Sequence, residues 1–580
     1  MNMTGNHLKM RKTRRFLALL IAAALCLAML PAAGAEAATG LQKDVVILFT
    51  SDVHCGMDQH FTYAGVKAMK DAAIAAGSHV LLVDDGDAVQ GEAIGLLTKG
   101  MAAIEMMNIV GYDIAIPGNH EFDYGMDRFM EFVEKANFPY LSCNIHKNGE
   151  FLLKPYVIKE FDGVKIAFVG ATAPETLTAS IPRFFQDENG NYIYDFSQGG
   201  NGEALYTAIQ ESVDAARAEG ADYVILIGHL GNESALKPHT YADVIANTNG
   251  IDAMLDGHSH DTDKVVMRNK DGRKITRQAC GTKLSEVGWL RISAATGSIE
   301  TGLYAWHNEE PMPDVLGIRN VVTDPLETVT GAIKDQLATV IGTSEVELIT
   351  RDPAILDENG NAVRVSRRAE TNLGNFCADA IRAATGADVA MYNAGSNRLG
   401  LKPGVITVND VMNVFPFGGR VIMVEATGKQ ILDTLEWSVK FLPEESGGFM
   451  QVSGMSYEIH SYLPSTCKTD RNGMFAGVEG AYRVQNVKIG GEPLDLNRKY
   501  KVAGLEYVMI DHGGGQTAFD GATILWQEGR LDYEILQDYI VNTLGGTIGK
   551  DYAEFYGEGR IIGVAEAPTG FVTEPDETDP

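Results

Sequence analysis

The chain has 580 residues, more than a single hydrophobic core organises, so two or more domains are expected. It is 45% hydrophobic and 22% charged, the balance of a globular protein, and carries a formal net charge of −29. Such a surface repels nucleic acid polymers and anionic membranes, and a small anionic substrate would need a locally cationic site, supplied by metals or arginines.

The first forty residues stand apart from the fold. "KMRKTRR" is a basic n-region, "FLALLIAAALCLAML" an apolar h-region, and Ala35–Ala37 a small-residue cleavage site. A transmembrane anchor is the rival reading. It loses because the apolar run is short and ends in small residues, and no second run is long enough to span a bilayer. Residues 1–37 therefore read as a signal peptide. The mature protein reads as exported (secreted, periplasmic or cell-surface), without a membrane span. Removing residues 1–37 deletes five Lys/Arg and one Glu, taking the formal charge from −29 to −33. Cys26 leaves with them. The five remaining cysteines, Cys55, Cys143, Cys280, Cys377 and Cys467, are odd in number and widely spaced, without CxxC. They form neither a disulfide framework nor a zinc knuckle, and at most a local bridge or two.

Downstream, apolar runs alternate with amphipathic stretches. Strands are predicted at "VVILFT" (45–50), "VLLV" (80–83), "IAI" (114–116), "PYLS" (139–142), "KIAFVG" (165–170), "YVILI" (223–227) and "DAML" (252–255). Helices are predicted over "YAGVKAMKDAAIAA" (63–76) and "ALYTAIQESVDAARAEG" (204–220), the second closing on Gly220. The alternation indicates an α/β layered domain, and the closer-spaced runs from about residue 280 a β-rich closing segment. "HNEEPMPDV" (307–315) reads as a domain boundary, succeeded by a linker helix at 324–342. The second domain has its own α/β pattern, with "TNLGNFCADAIRAATG" (371–386) as a helix and "RKYKVAGLEYVMI" (498–510) as a strand. The Pro- and acid-rich end is expected to be disordered. The boundaries are 1–37 for the signal, 42–308 and 343–562 for the two domains, 309–342 for the linker and 563–580 for the tail.

In open α/β sheets ligands bind outside the carboxyl ends of the strands. The residues just past each predicted strand are therefore the ones to inspect. "SDVHCG" supplies Asp52 and His54, "DDGDAVQG" Asp87, "PGNHEFDYG" Asn119, His120 and Asp123, "GHLGNE" His229, and "DGHSH" His258 and His260. Alone, Asp52-Val53-His54 reads equally as a surface turn and Gly86-Asp87 as a helix cap. Together, five strand ends deliver five of the chain's thirteen histidines beside carboxylates and an amide. Imidazole is the commonest protein ligand for zinc-like metals. Seven mixed N and O ligands exceed one tetrahedral ion and suit two divalent ions sharing a carboxylate, zinc, manganese or cobalt above all. Such a pair grips both oxygens of an in-line displacement in phosphoester hydrolysis.

The five motifs, in this order, resemble the calcineurin-like metallophosphoesterases. "RRAETNLGNFCADAIR" (367–382), "YNAGSNR" (392–398), "VFPFGGR" (414–420) and "GGFMQVSG" (447–454) resemble the second domain of the bacterial and animal 5′-nucleotidases. The resemblance covers roughly residues 42–562. It implies a layered β-sandwich flanked by helices that holds two metals. A second α/β domain, joined by the linker helix, grips the nucleotide, and the two close by rotating about that helix. It makes Asp52, His54 and His260 ligands of one metal, Asn119, His229 and His258 of the other, and Asp87 the bridge. It gives His120, oriented by Asp123, contact with the phosphate. In the second domain it gives Arg367, Asn393 and Arg398 phosphate- and ribose-gripping positions, and Phe417 a ring stacked on the base. Arg364 and Arg368 read instead as a solvated face. One motif departs from the pattern: in "EYVMIDHGGGQTAF" (506–519) the usual aspartate is Gly515 and the second stacking ring falls on Met509. The "GNHEFD" and "GHSH" forms look more like the 5′-nucleotidases than the relatives that open 2′,3′-cyclic nucleotides. The expected activity is hydrolysis of nucleoside 5′-phosphates. The alternatives are a nucleotide pyrophosphatase or UDP-sugar hydrolase, a 2′,3′-cyclic-nucleotide phosphodiesterase, or an exported nucleotide-binding protein without turnover.

Overall fold

The run Val45–Thr50 is apolar up to its last residue, and both faces of the strand it forms, β1, are buried. A strand hidden on both sides belongs inside a sheet whose two faces are covered, and β1 is the middle strand of five in the first unit. A computed structural model describes residues 40–233, 236–306, 319–356, 362–527 and 529–566. The signal segment, the stretch 307–315 and the end of the acidic tail lie outside the described residues. The chain divides into two compact units between Gln336 and Leu337.

In the first unit, β1 pairs in parallel with β2 (His79–Asp84), and β2 with β3 (Ile114–Ala115). A second sheet contains β4 (Tyr156–Phe161), β5 (Val164–Thr172), β6 (Tyr223–His229), β7 (Ala253–Asp256), β8 (Lys264–Arg268) and β9 (Lys274–Ala279). Its order is β8-β9-β7-β6-β5-β4, with β5, β6, β7 and β9 parallel. The closing segment supplies β10 (Glu286–Ile292) and β11 (Ile299–Ala305), which complete the first sheet in the order β11-β10-β1-β2-β3.

Side chains alternate across each strand. Val45, Ile47 and Phe49 of β1 pack between the sheets with Ile166, Phe168, Ile225 and Leu255, while Val46 and Leu48 face the outer helices. Those helices are α1 (Thr62–Ala75), α2 (Met101–Val110) and α3 (Met126–Lys135). In α1, Val66, Met69 and Ala73 fall on one buried face at helical spacing. On the other side, α4 (Glu203–Ala218) and α5 (Tyr241–Asn247) cover the second sheet through Leu205, Ile209, Val213 and Val244. The result is the helix-flanked sandwich. "PYLS" contributes only isolated bridges, because Leu141 turns from Ala115 to Lys154 within one residue.

The helix α6 (Thr323–Leu337) ends five residues before the expected stop at 342. The β-branched run after it forms β12 (Val340–Ser344), paired with residues 404–407. In the second unit β13 (Val389–Asn393), β14 (Val421–Thr427), β15 (Met450–Ser453), β16 (Lys499–Leu505) and β17 (Thr523–Trp526) form a sheet ordered β15-β13-β16-β14-β17. Helix α7 (Asn372–Thr385) packs on one face over Ala390 and Tyr392, and α8 (Gly428–Ser438) on the other over Ile422 and Val424. Thr371 caps α7 by accepting from the Gly374 N–H, and Gly386 ends it in the left-handed region at φ 64°. The predicted strand 498–510 stops at Leu505, where the chain turns into the short helix α9 (Glu506–Met509).

Candidate metal centre

β1, β2 and β3 are parallel in one sheet, and β6 and β7 are parallel in the other, so their carboxyl ends face one rim. Three overlapping groups of ligand atoms form there, each within 4.8 Å: Asp52, His54 and His260; His54, Asp87 and His120; Asp87, His229 and His258. Asp87 is common to the second and third groups. His260 Nε2 lies 3.4 Å from Asp52 Oδ1, and His229 Nε2 lies 3.1 Å from Asp87 Oδ2. Two glycines make room for this. A Cβ on Gly118 would lie 2.2 Å from Asp87 Oδ1, and one on Gly257 would lie 2.1 Å from Ser51 Oγ.

The donor set fits cations. His54 Nδ1–H donates to the Gln90 carbonyl at 2.7 Å and His229 Nδ1–H to the Asp85 carbonyl at 2.8 Å. That tautomer leaves a lone pair on each Nε2. The Nε2 atoms of His54 and His260 stand 3.0 Å apart, a spacing an ion between them would use. Asn119 is 5% exposed, and its Oδ1 finds no partner among the described residues, as expected of an oxygen meant for a metal. Electrostatics divide the two carboxylates. Burial, with help from Asp87, pushes Asp52 up to about 6 against the pull of His229 and His258. Asp87 is equally buried, but the imidazoles of His229, His120 and His54 outweigh that and hold it well below the usual carboxylate range.

The backbone at this rim is unusual. Asp52, His54, Asp87, His258 and His260 all have positive φ, between 49° and 80°. Side-chain-bearing residues rarely adopt this region, and clusters of them mark functional sites.

Beside the ligands, His120 Nδ1 lies 2.6 Å from Asp123 Oδ2, and the His120 backbone N–H donates to Asp87 Oδ1 at 2.8 Å. Four further residues reach the rim, Glu121 from inside the "GNHEFD" motif and three from outside the motifs. Glu121, fully buried, accepts from the N–H groups of Asp87, Ala88 and Gly118 and so ties the β2 and β3 ends together. Burial, then Asp87, pushes it to about 7. A sixth strand end, that of β5, reaches the rim: Glu175 Oε1 lies 2.9 Å from His258 Nε2, and Ser180 Oγ donates to Asp123 Oδ1 at 3.0 Å. Arg277, with none of its surface exposed, reaches Asp256 at 2.8 Å and Asp261 at 2.5 Å, with the Tyr241 ring 4.3 Å away. These carboxylates flank His258 and His260. Arg277→Ala leaves both buried charges unpaired and is expected to cost about 3–5 kcal/mol, read as a fall in melting temperature. An unchanged melting temperature would mean that the pairing contributes nothing.

The remaining predicted residues lie in the second unit. Asn393, at the end of β13, is 6% exposed; its Oδ1 accepts from Ser396 and its Nδ2 lies 3.4 Å from the Gly447 carbonyl. The neighbouring Ser446 N–H donates to the Arg367 carbonyl at 3.1 Å, bringing those two segments together. Arg364 is committed to Glu445. The Arg398 guanidinium lies 5.4 Å from the half-buried Phe417 ring. Met509 requires a correction: it is 2% exposed, inside the core against Gly504, and offers no face to a base. The family pattern set the second ring at Met509, but past Leu505 the chain enters α9, which turns that side chain inward. Tyr507 is the half-buried ring there, lying across Gly513. Gly515 has φ 74°, and a Cβ on it would lie 2.7 Å from the Gly473 carbonyl, so this backbone excludes the aspartate of the usual motif. All five described cysteines are free thiols.

Residues 45–262 match the family model of the calcineurin-like phosphoesterases, and residues 340–521 that of the 5′-nucleotidase C-terminal domain. The chain is 28% identical over 564 residues to the trifunctional nucleotide phosphoesterase protein YfkN of Bacillus subtilis. The match covers 89% of this chain and 35% of that protein, so the chain spans about a third of that relative. It is 28% identical over 534 residues to a 5′-nucleotidase of Vibrio parahaemolyticus, covering 86% of this chain and 89% of that one. Its fold is that of a 5′-nucleotidase precursor from Thermus thermophilus, with a TM-score of 0.72 at 23% identity over 90% of this chain and all of the other. Fold and site together define a metal-dependent phosphoesterase of the calcineurin-like class. Within that class, matched in both halves, the chain belongs to the 5′-nucleotidase family.

Proposed function

We propose that the protein is an exported two-metal phosphomonoesterase that hydrolyses nucleoside 5′-phosphates to nucleoside and phosphate. The observation that carries this reading is the convergence of Asp52, His54, Asp87, His229, His258 and His260 in linked groups, with the His120–Asp123 pair alongside. Asp52, His54 and His260 would hold one divalent ion, Asn119, His229 and His258 the other, and Asp87 both. Zinc, manganese and cobalt suit this mixture of imidazole and oxygen. Such ions supply charge neutralisation at the phosphoryl oxygens and a more acidic water. The chain's own contribution is positioning. Asp123 accepts from His120 Nδ1, which fixes the ring so that Nε2 meets the developing charge on the phosphate.

The signal-like segment supports export, and among the described residues no helix is long and apolar enough to cross a membrane. The test is phosphate release from AMP by the purified protein, with and without a chelator. Release abolished by the chelator and restored by zinc, manganese or cobalt is expected. Tight AMP binding without release would make it a capture protein. Faster cleavage of a nucleotide sugar or of a cyclic nucleotide would shift the substrate class.

In the second unit, Phe417 lies just before β14 and Tyr507 just after β16, and the register Val421↔Leu505 places both at one end of a strand pair. These two are the proposed stacking rings, with Arg367, Asn393 and Arg398 gripping phosphate and ribose. Each stacked ring contributes about 1–3 kcal/mol. Phe417→Ala and Tyr507→Ala are therefore each expected to lower kcat/KM for AMP by roughly tenfold or more while leaving ribose 5-phosphate little affected. Met509→Ala should destabilise the fold by about 2–5 kcal/mol without changing base preference. Equal loss with both substrates in the ring variants would rule out stacking.

A further inference from the structure

The strand β5 ends at Thr172, and its last residue is tied to the motif loop beside it. Thr172 Oγ1 donates to the Pro117 carbonyl at 2.8 Å, and Asn144 bonds both Thr172 backbone groups, at 2.7 and 3.0 Å. The chain then makes a tight turn. The Glu175 carbonyl accepts from the N–H groups of Thr178 and Ala179 and from the Thr178 hydroxyl. Leu177 is 1% exposed and plugs the turn into the core shared with Phe122 and Phe185. Glu175 and Ser180 are thus presented from one rigid piece of backbone, five residues apart, to two different parts of the rim.

Their targets are informative. With Glu175 Oε1 2.9 Å from Nε2 of His258, an ion-pair contact without hydrogen-bond geometry, Nδ1 is the nitrogen assigned to a cation beside Asp87 and His229. A carboxylate on the far nitrogen of a ligating imidazole fixes its tautomer and raises its basicity. Ser180 takes the oxygen of Asp123 that His120 does not use, so both carboxylate oxygens are committed and the plane of the carboxylate is set. Ser180 is 1% exposed, so water does not substitute for it.

We infer that residues 173–180 form a positioning brace, in which Glu175 orients the metal-ligating nitrogen of His258 and Ser180 orients Asp123 and, through it, the His120 ring. This rests on the roles proposed above for His258 and His120. The two arms predict separable defects. Ser180→Ala should lower kcat by roughly tenfold, with KM and metal affinity within about twofold of the parent. In a His120→Ala background the same change should be silent, because a residue acting through His120 has nothing left to orient. Glu175→Ala should weaken binding of one of two ions by about 10–100-fold, measured by titrating metal into the stripped protein. Glu175→Gln, which keeps the shape and places an amide oxygen beside Nε2, should recover most of that loss.

The brace is overturned if Ser180→Ala lowers activity as much without His120 as with it, or leaves kcat unchanged. It is also overturned if both Glu175 variants bind two ions as the parent does. Full activity of His120→Ala by itself would instead refute the role given to His120, a distinct result.

Discussion

Asp87→Asn is expected to cut turnover by at least about 10²-fold, the scale of losing an electrostatic contribution of several kcal/mol, and to leave fewer than two ions per chain. The side chain is 2% exposed and sits between two clusters of imidazoles, with Oδ2 beside His229 and Oδ1 accepting from the His120 backbone. An amide of the same shape removes the one charge the two proposed cation sites would share, and it turns an NH₂ group toward at least one partner that needs an acceptor. Metal content by elemental analysis, together with kcat, checks the outcome. Two bound ions with most of the activity retained would show that the bridge is elsewhere.

His120→Ala should do something different. Turnover falls by about 10²–10⁴-fold, the range for losing a positioned acid–base group, while metal content stays near two per chain. The structural reason is that the hydrogen bond His120 gives Asp87 comes from its backbone N–H, which alanine keeps. The ring lies in the His54–Asp87–His120 group but has its Nδ1 2.6 Å from Asp123, so its proposed work is on the phosphate. Loss of an ion along with activity would make His120 a ligand instead.

Much of the first unit could be read from the sequence for a specific reason. Its central strands are buried on both faces, so they stand out as continuous apolar runs, and the proposed ligands come within five residues of each run's end. Glu121, Glu175, Ser180 and Arg277 were harder. Their partners lie far away in sequence: Arg277 meets Asp256 across 21 residues and Ser180 meets Asp123 across 57. No periodicity reports such a contact. One signal was available, since β5 is as apolar as its neighbours and "APETLTAS" stands at its carboxyl end like the other motifs. Met509 went astray because it was carried over from a family pattern, which does not report that the backbone leaves β16 at Leu505 and turns residue 509 into the core. Asn119 was legible from its place just past the "IAI" run, and its unpartnered oxygen adds a direct physical sign.

The left-handed residues at the rim bear on where this protein can be improved and where it cannot. Each non-glycine residue in that region costs on the order of 1 kcal/mol, less for Asp and His than for branched residues. The strained residues proposed as ligands therefore consume a sum comparable to the net stability of an ordinary domain. Glycine at those positions relaxes the chain but deletes the ligand. Thr62, at φ 57°, is strained in the same way, is branched, and is not among the proposed ligands. A search for more heat-resistant variants should therefore converge on such neighbours and avoid the ligands. The five ligand positions form a reserve of instability that selection for robustness leaves in place as long as it also demands catalysis.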